Sequence, residues 1–140
     1  SIIPNDIEHV ASYGFADCRT IKSIILPQSV KTIGDHAFYC CMDATTIELS
    51  QQITEIKDNT FDTCYDLTSV TIPANVTSMG EDVFRNSGVK SITCLATVAP
   101  TLVDNTFYDI KDNGILYYPS GSDYSSWIAK LPSGWTSQEI

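Results

Sequence analysis

Positive charge is scarce in this sequence: eight Lys and Arg stand against 17 Asp and Glu over 140 residues, a net charge of −9. Such a field repels polyphosphate and anionic lipid, so nucleic acid is not an expected partner. Long hydrophobic runs are missing too. No apolar stretch approaches the roughly 18 residues that a membrane span needs, and Ser1 onward shows no basic, apolar leader, so the sequence reads as a soluble chain with no membrane insertion. Histidine is limited to His9 and His36, which lie six and two residues before the next Phe and so fall on different faces of different units. No Ser/His/acid or Cys/His set is therefore expected at a shared place. Gly34 and Gly80 each stand alone, with no G-x-x-x-x-G-K or G-x-G-x-x-G loop to cradle phosphate. These absences point away from an enzyme and from any cofactor.

What is present is a period. The length fits one domain, and 43% hydrophobic with 18% charged residues is too apolar for a disordered chain. All five phenylalanines, Phe15, Phe38, Phe61, Phe84 and Phe107, are 23 residues apart. Eight positions before each stand Ile7, Val30, Ile53, Val76 and Ala99, and five before stand Val10, Ile33, Ile56, Met79 and Leu102. Both columns are apolar throughout, as a structural repeat requires. After the Phe come Ile24/Leu26, Ile47/Leu49, Val70/Ile72 and Leu116/Tyr118; the fourth unit slips one residue early to Val89, Ile92 and Cys94 and recovers before Phe107. Such an insertion and deletion belong in surface turns.

Each unit changes period internally. Ile24-Ile25-Leu26, Ile47-Glu48-Leu49 and Val70-Thr71-Ile72 alternate in-out-in with β-branched residues, which predicts short strands. Pro27, Pro73 and Pro119 end them, as Pro4 does after Ser1-Ile2-Ile3, while Ser50 takes that place in one unit. The segments 34–38, 57–61 and 80–84 begin acidic or polar and predict one turn of helix. A single unit cannot bury its apolar side alone, but stacked copies share one core with strands about 4.8 Å apart. The expected fold is thus an α/β solenoid of 23-residue coils, with parallel strands on one face and short helical turns on the other. Its Phe column should run up the interior.

The pattern I-x-x-(A/T)-F-x-x-C-x-x-L-x-x-(I/V)-x-(I/L)-P, read between Ile33 and Pro73, resembles the leucine-rich repeats of BspA-type bacterial surface proteins. Residues 1–119 fit it as a solenoid of about five coils, apart from Ala44 for Leu, Ser50 for Pro and the shifted fourth coil. Residues 120–140 then form the cap of the same domain. The resemblance implies a cell-surface or secreted adhesion and interaction module that binds an extracellular protein or glycan. A structural spacer, or a fragment carrying another functional domain of a larger surface protein, is the alternative.

Solenoid ends need cover. Tyr124, Trp127, Ile128 and Leu131 fall at i, i+3, i+4 and i+7, which predicts an amphipathic capping helix started by Ser122 and ended by Pro132. Trp135 and Ile140 are expected to add apolar cover. At the other end no cap precedes the Ser1–Pro4 segment, which reads as a fragment or a chain without its leader.

The cysteines fit packing better than chemistry. Cys18, Cys41 and Cys64 share one inward column with Ser87 and Ile110, and Cys94 stands beside Ile72 in a strand column. No C-x-x-C occurs and ligands on successive coils point in parallel, so no metal site is expected. Cys40 differs: its column otherwise holds Asp17, Thr63, Asn86 and Asp109, which predicts an exposed thiol open to intermolecular pairing. Asp35, Asp58, Glu81 and Asp104 form an acidic column suited to accepting N–H bonds at the start of each helical turn. Weak Ca²⁺ binding there, with Asp43, Asp66 and Asp112, is the sharper alternative. Asn75-Val76-Thr77 is a formal glycosylation acceptor, idle in a bacterial source.

The outward strand positions remain. They form two rows: Ser23, Thr46, Ser69, Ser91 and Ile115, then Ile25, Glu48, Thr71, Thr93 and Tyr117. Their small, hydroxyl-rich character suits docking of a protein or glycan surface, and equally suits exposed strands without a binding role.

Overall fold

A computed structural model describes residues 3–140. It is a parallel β-solenoid with one short helix. Two columns of strands run along it. The longer strands are β2 (Ser23–Ile25), β4 (Thr46–Glu48), β6 (Ser69–Ile72), β8 (Ser91–Cys94), β9 (Ile115–Tyr118) and β10 (Thr136–Glu139); the two-residue strands are β1 (His9–Val10), β3 (Thr32–Ile33), β5 (Glu55–Ile56) and β7 (Ser78–Met79). Every pairing is parallel, in the order β2-β4 and β6-β8-β9-β10 in the first column and β1-β3 and β5-β7 in the second. Ser1 and Ile2 of the expected first strand lie outside the described residues, and Ile3 and Pro4 take no strand conformation.

The in-out-in reading holds. Ile24, Ile47, Val70, Ile92 and Leu116 are buried between exposed or half-exposed neighbours. Behind them the Phe rings form a file, buried from Phe38 to Phe107 and half-buried at Phe15, with successive centroids 5.6, 5.8, 5.8 and 6.1 Å apart and planes within 14° of parallel. Phe107 passes the file to Trp127 at 5.4 Å. Offset stacking at this spacing adds to the area each ring removes from water.

The expected helical turns around each Phe are absent. Two residues before and two after the ring, the backbone is left-handed: Tyr13 and Asp17, His36 and Cys40, Asn59 and Thr63, Asp82 and Asn86, with φ between 51° and 61°. The reversal aims alternate N–H groups along the stacking axis. His36, Phe38 and Cys40 thus donate to the carbonyls of Asp58, Thr60 and Asp62 at 2.9, 3.1 and 3.0 Å, and Asn59, Phe61 and Thr63 repeat this on Glu81, Val83 and Arg85 at 3.0, 2.9 and 2.9 Å. A helix would have spent those donors inside its own turn. The bonds between coils offset a left-handed strain of about 1 kcal/mol or more per residue.

The one-residue slip resolves into two places. The recovery lies at the surface near Val98, which is 81% exposed. The loss does not: it falls beside buried Gly88, whose N–H donates to Cys64 at 3.1 Å. A Cβ there would stand 2.3 Å from the Tyr65 carbonyl oxygen, so the shortened turn requires glycine.

The cap is smaller than expected and is followed by more sheet. Helix α1 spans only Ser125–Lys130. Ser122 does not start it; Tyr124 is the N-cap, and Asp123 accepts the Ser125 N–H at 3.0 Å. Leu131, extended as a residue before proline tends to be, ends it. Tyr124 and Trp127 are buried, donating to the carbonyls of Ala96 at 2.6 Å and Pro100 at 2.9 Å, whereas Ile128 is 45% exposed. Beyond it β10 pairs with β9, so the ladder runs on past Pro119, and Ile140 is exposed instead of covering apolar surface. Trp135 lies over Gly114, where a Cβ would meet its ring at 2.3 Å.

Candidate functional site

The candidate face is built by register. Ser23 pairs with Thr46 and Ile25 with Glu48; Ser69 pairs with Ser91 and Ser91 with Ile115, while Thr71, Thr93 and Tyr117 form the neighbouring row. Ile25 is 55% and Ile115 36% exposed, and the hydroxyl-bearing positions are exposed or half-exposed. Each row continues onto β10 at Thr136 and Gln138. Sequence reasoning missed these two because all four β10 residues are exposed, which leaves no apolar alternation to read.

The rows are interrupted once. Among the described residues no backbone hydrogen bond joins β4 to β6, so Thr46 and Ser69, and Glu48 and Thr71, are not register partners. The opening holds a cavity of about 390 Å³ bounded by Thr46, Glu48, Ser69 and Thr71, with Gln28 and Gln51 at its rim. On the opposite side the same two coils stay closed, with Phe61 and Phe84 stacked at 5.8 Å. The gap is therefore a wedge opening toward the strand face. Hollows of about 480 and 440 Å³ lie elsewhere, beside Lys111 and Lys130 and beside Glu55 and Asp58, and include none of the strand-face candidates.

Cys40 is a correction. It is only 6% exposed, not a surface thiol, and its side chain raises the pKa of the adjacent Tyr39 phenol. The column position is buried at Cys40 and Thr63 and exposed at Asp17, Asn86 and Asp109, so the polar types in the column do not fix its exposure. Cys41 and Cys64 lie in the inward column as expected, each thiol donating to a carbonyl on the preceding coil, Phe15 at 3.0 Å and Phe38 at 3.1 Å. Burial pushes the Cys41 thiol up to about 12 and drives Cys64 and Cys94 upward as well. All five cysteines are free.

The acidic column bonds mainly to neighbouring coils and to α1. Asp58 accepts the Glu81 N–H of the next coil at 2.9 Å, and Asp104 pairs with Lys130 of α1 at 3.2 Å. Asp35 accepts the Ser12 hydroxyl at 2.6 Å and meets His36 Nδ1 at 2.8 Å; these two bonds, the serine's first, hold its carboxyl below the usual range. Ser12, Asp35 and His36 do share a place, contrary to expectation. Yet the carboxylate sits between the other two, so the hydroxyl donates to Asp35 instead of to an imidazole base, and His36 stacks on Tyr13 at 4.5 Å. No three acidic, Cys or His side chains converge on a metal position among the described residues.

Sequence reasoning also missed Asp62. It is 1% exposed, accepts from Asn59 at 2.8 Å and Thr63 at 2.7 Å, and faces Arg85 at 3.5 Å. Arg85 occupies the equivalent position one repeat on, which was the available signal.

The sequence profile of the BspA type leucine rich repeat region matches residues 1–112 in six copies. The chain belongs to this family. No curated protein matches it. Among solved structures it is similar to a leucine rich cell surface protein of Faecalibacterium prausnitzii A2-165, with 27% identity and a TM-score of 0.72 over 92% of this chain and 34% of that one. It is also similar to the leucine rich repeat protein of T. pallidum, with 25% identity and a TM-score of 0.67 over 79% of this chain and 52% of that one. The pneumococcal vaccine antigen PcpA shares the fold at 20% identity, with a TM-score of 0.76 over 98% of this chain and 40% of that one. The chain thus spans between about a third and a half of the length of these solved structures. No helix among the described residues is long and apolar enough to cross a membrane.

Proposed function

We propose that this BspA-type solenoid is a non-catalytic interaction module, acting at a cell surface or in the extracellular space, that docks a protein or glycan on its strand face. The observation that carries this reading is the face itself. Two rows of mainly polar side chains, in register within β2-β4 and within β6-β8-β9-β10 and parted between β4 and β6, carry exposed Ile25 and Ile115 among them. Parallel repetition of hydrogen-bonding groups gives a partner an extended template, as solenoid surfaces do generally. The likeness to a cell-surface leucine rich protein supports the location. The serine–aspartate–histidine order at Ser12, Asp35 and His36 supports a role without a nucleophile.

An extracellular protein and glycan array probed with the chain is the direct test. A partner found there should be lost on Thr71→Arg plus Thr93→Arg, which places bulk and charge on two adjacent inner positions of one row; capture unchanged by the pair counts against the strand face. The greater length of the solved relatives favours a second reading, a spacer that carries another domain, and retained affinity of the chain expressed alone would argue against it.

A further inference from the structure

We propose that the opening between β4 and β6 receives a cationic side chain, an arginine carried on an extended segment of a protein partner. This deepens the strand-face reading and rests on it. In a parallel ladder alternate residues turn their N–H and C=O groups to opposite neighbours. Leu26 donates to Glu48 at 3.0 Å, Ser91 to Thr68 at 3.2 Å and Leu95 to Ile72 at 3.0 Å, so the even-numbered residues of β4 and β6 face β2 and β8. Ile47, Leu49, Ser69 and Thr71 therefore aim their backbone groups into the opening, where no bond across the gap engages them. Every other neighbouring pair in this column is closed by a ladder.

The opening presents backbone N–H and C=O groups alike, but the one charged side chain that bounds it is negative. Its carbonyls are joined by the Glu48 carboxylate, and none of the residues that bound it is Lys or Arg. A guanidinium presents five donors in a planar fork and no acceptor, which matches a carboxylate set among carbonyls. Ile25, the register partner of Glu48 and 55% exposed, offers apolar surface on which the methylene stem lies. The open N–H groups serve the carbonyls of the segment that carries the arginine. A net charge of −9 favours approach of such a partner.

The test is an amide-resolved NMR titration of the whole chain with acetyl-Gly-Ser-Arg-Ser-Gly-amide and with its lysine and citrulline counterparts. Shifts should concentrate at Ile47, Leu49, Ser69 and Thr71, and citrulline, which keeps the shape and loses the charge, should bind about tenfold more weakly or worse. Glu48→Gln, an exposed substitution that leaves the fold intact, should weaken the arginine peptide by about tenfold. Absence of binding, equal binding of citrulline, shifts spread over the acidic turns, or an affinity indifferent to Glu48→Gln each overturns the proposal. A partner that is lost on Thr71→Arg plus Thr93→Arg but untouched by Glu48→Gln would leave the docking face standing and remove the arginine; a partner indifferent to both removes the two together.

Discussion

Phe38 and Phe61 stack with centroids 5.8 Å apart and planes 6° from parallel, 23 residues apart in sequence and both fully buried. Each inner ring touches a ring above and a ring below, so its removal opens two interfaces at once. Phe61→Ala should cost about 3–5 kcal/mol by urea denaturation, with the neighbouring coils losing structure together. A loss below about 1 kcal/mol would mean that the file does not hold the coils together.

Gly88 gives a sharper test because its constraint is backbone against backbone. A methyl there would meet the Tyr65 carbonyl oxygen at 2.3 Å and the Leu67 carbonyl oxygen at 3.0 Å, neither of which can turn aside as a side chain would. Gly88→Ala should destabilise by about 1–3 kcal/mol, mainly by breaking the bond to Cys64. Gly121 is the control: its φ is +83° but a Cβ there would meet nothing within 4 Å, so Gly121→Ala should cost only about 1 kcal/mol of left-handed strain. Equal effects in thermal melts would deny the tight turn.

The contrast between Gly88 and Val98 shows how far the sequence could be read. Stacking in register forces every coil to repeat its inward pattern, so the Phe file, the Cys41 and Cys64 column and the strand rows are all visible as columns of a 23-residue period. What the period hides is anything that depends on neighbouring coils. Cys40 sits in a polar column yet is covered, as Thr63 is, while Asn86 in the same column is exposed. The left-handed residues beside each Phe are only partly marked: Asp17, His36, Asn59, Asp82 and Asn86 are types that tolerate that conformation, whereas Tyr13, Cys40 and Thr63 are not, and there the bond to the next coil supplies the driving force. The opening between β4 and β6 has no mark in its rows either. Thr46, Glu48, Ser69 and Thr71 are ordinary exposed strand residues, and only the missing bonds distinguish that interface.

The buried thiols predict a loss of stability in alkali. Burial raises Cys41 to about 12, and burial likewise lifts Cys64, Cys94 and the Tyr124 phenol. For a group whose folded pKa lies above its unfolded one, the stabilising contribution is complete below the unfolded value, about 8.5 for a thiol, and declines as pH rises toward the folded value. Each thiol then contributes up to about 1.4 kcal/mol of loss per pH unit in that window. The urea midpoint should fall steadily from about pH 8.5 to pH 10.5, and Cys41→Ala should start lower but fall less steeply. A midpoint flat over that range would show that the thiols are not held from water.

The capping helix separates burial from pattern. Trp127 and Ile128 belong to the same apolar face by spacing, but of the six residues of α1 only Trp127 is buried. Trp127 is fully buried, meets Phe107 at 5.4 Å and donates its ring N–H to the Pro100 carbonyl at 2.9 Å, whereas Ile128 is 45% exposed. Trp127→Ala should therefore cost about 3–5 kcal/mol, from the lost ring and from a carbonyl left without its donor. Ile128→Ala should stay within about 0.5 kcal/mol of the parent. Hydrogen exchange distinguishes the cause: if α1 shields the file, Trp127→Ala should speed exchange at Phe107 and along β9, and Ile128→Ala should leave both unchanged. Comparable losses for the two substitutions would mean that the helix acts through its whole apolar stripe, as the spacing alone implies.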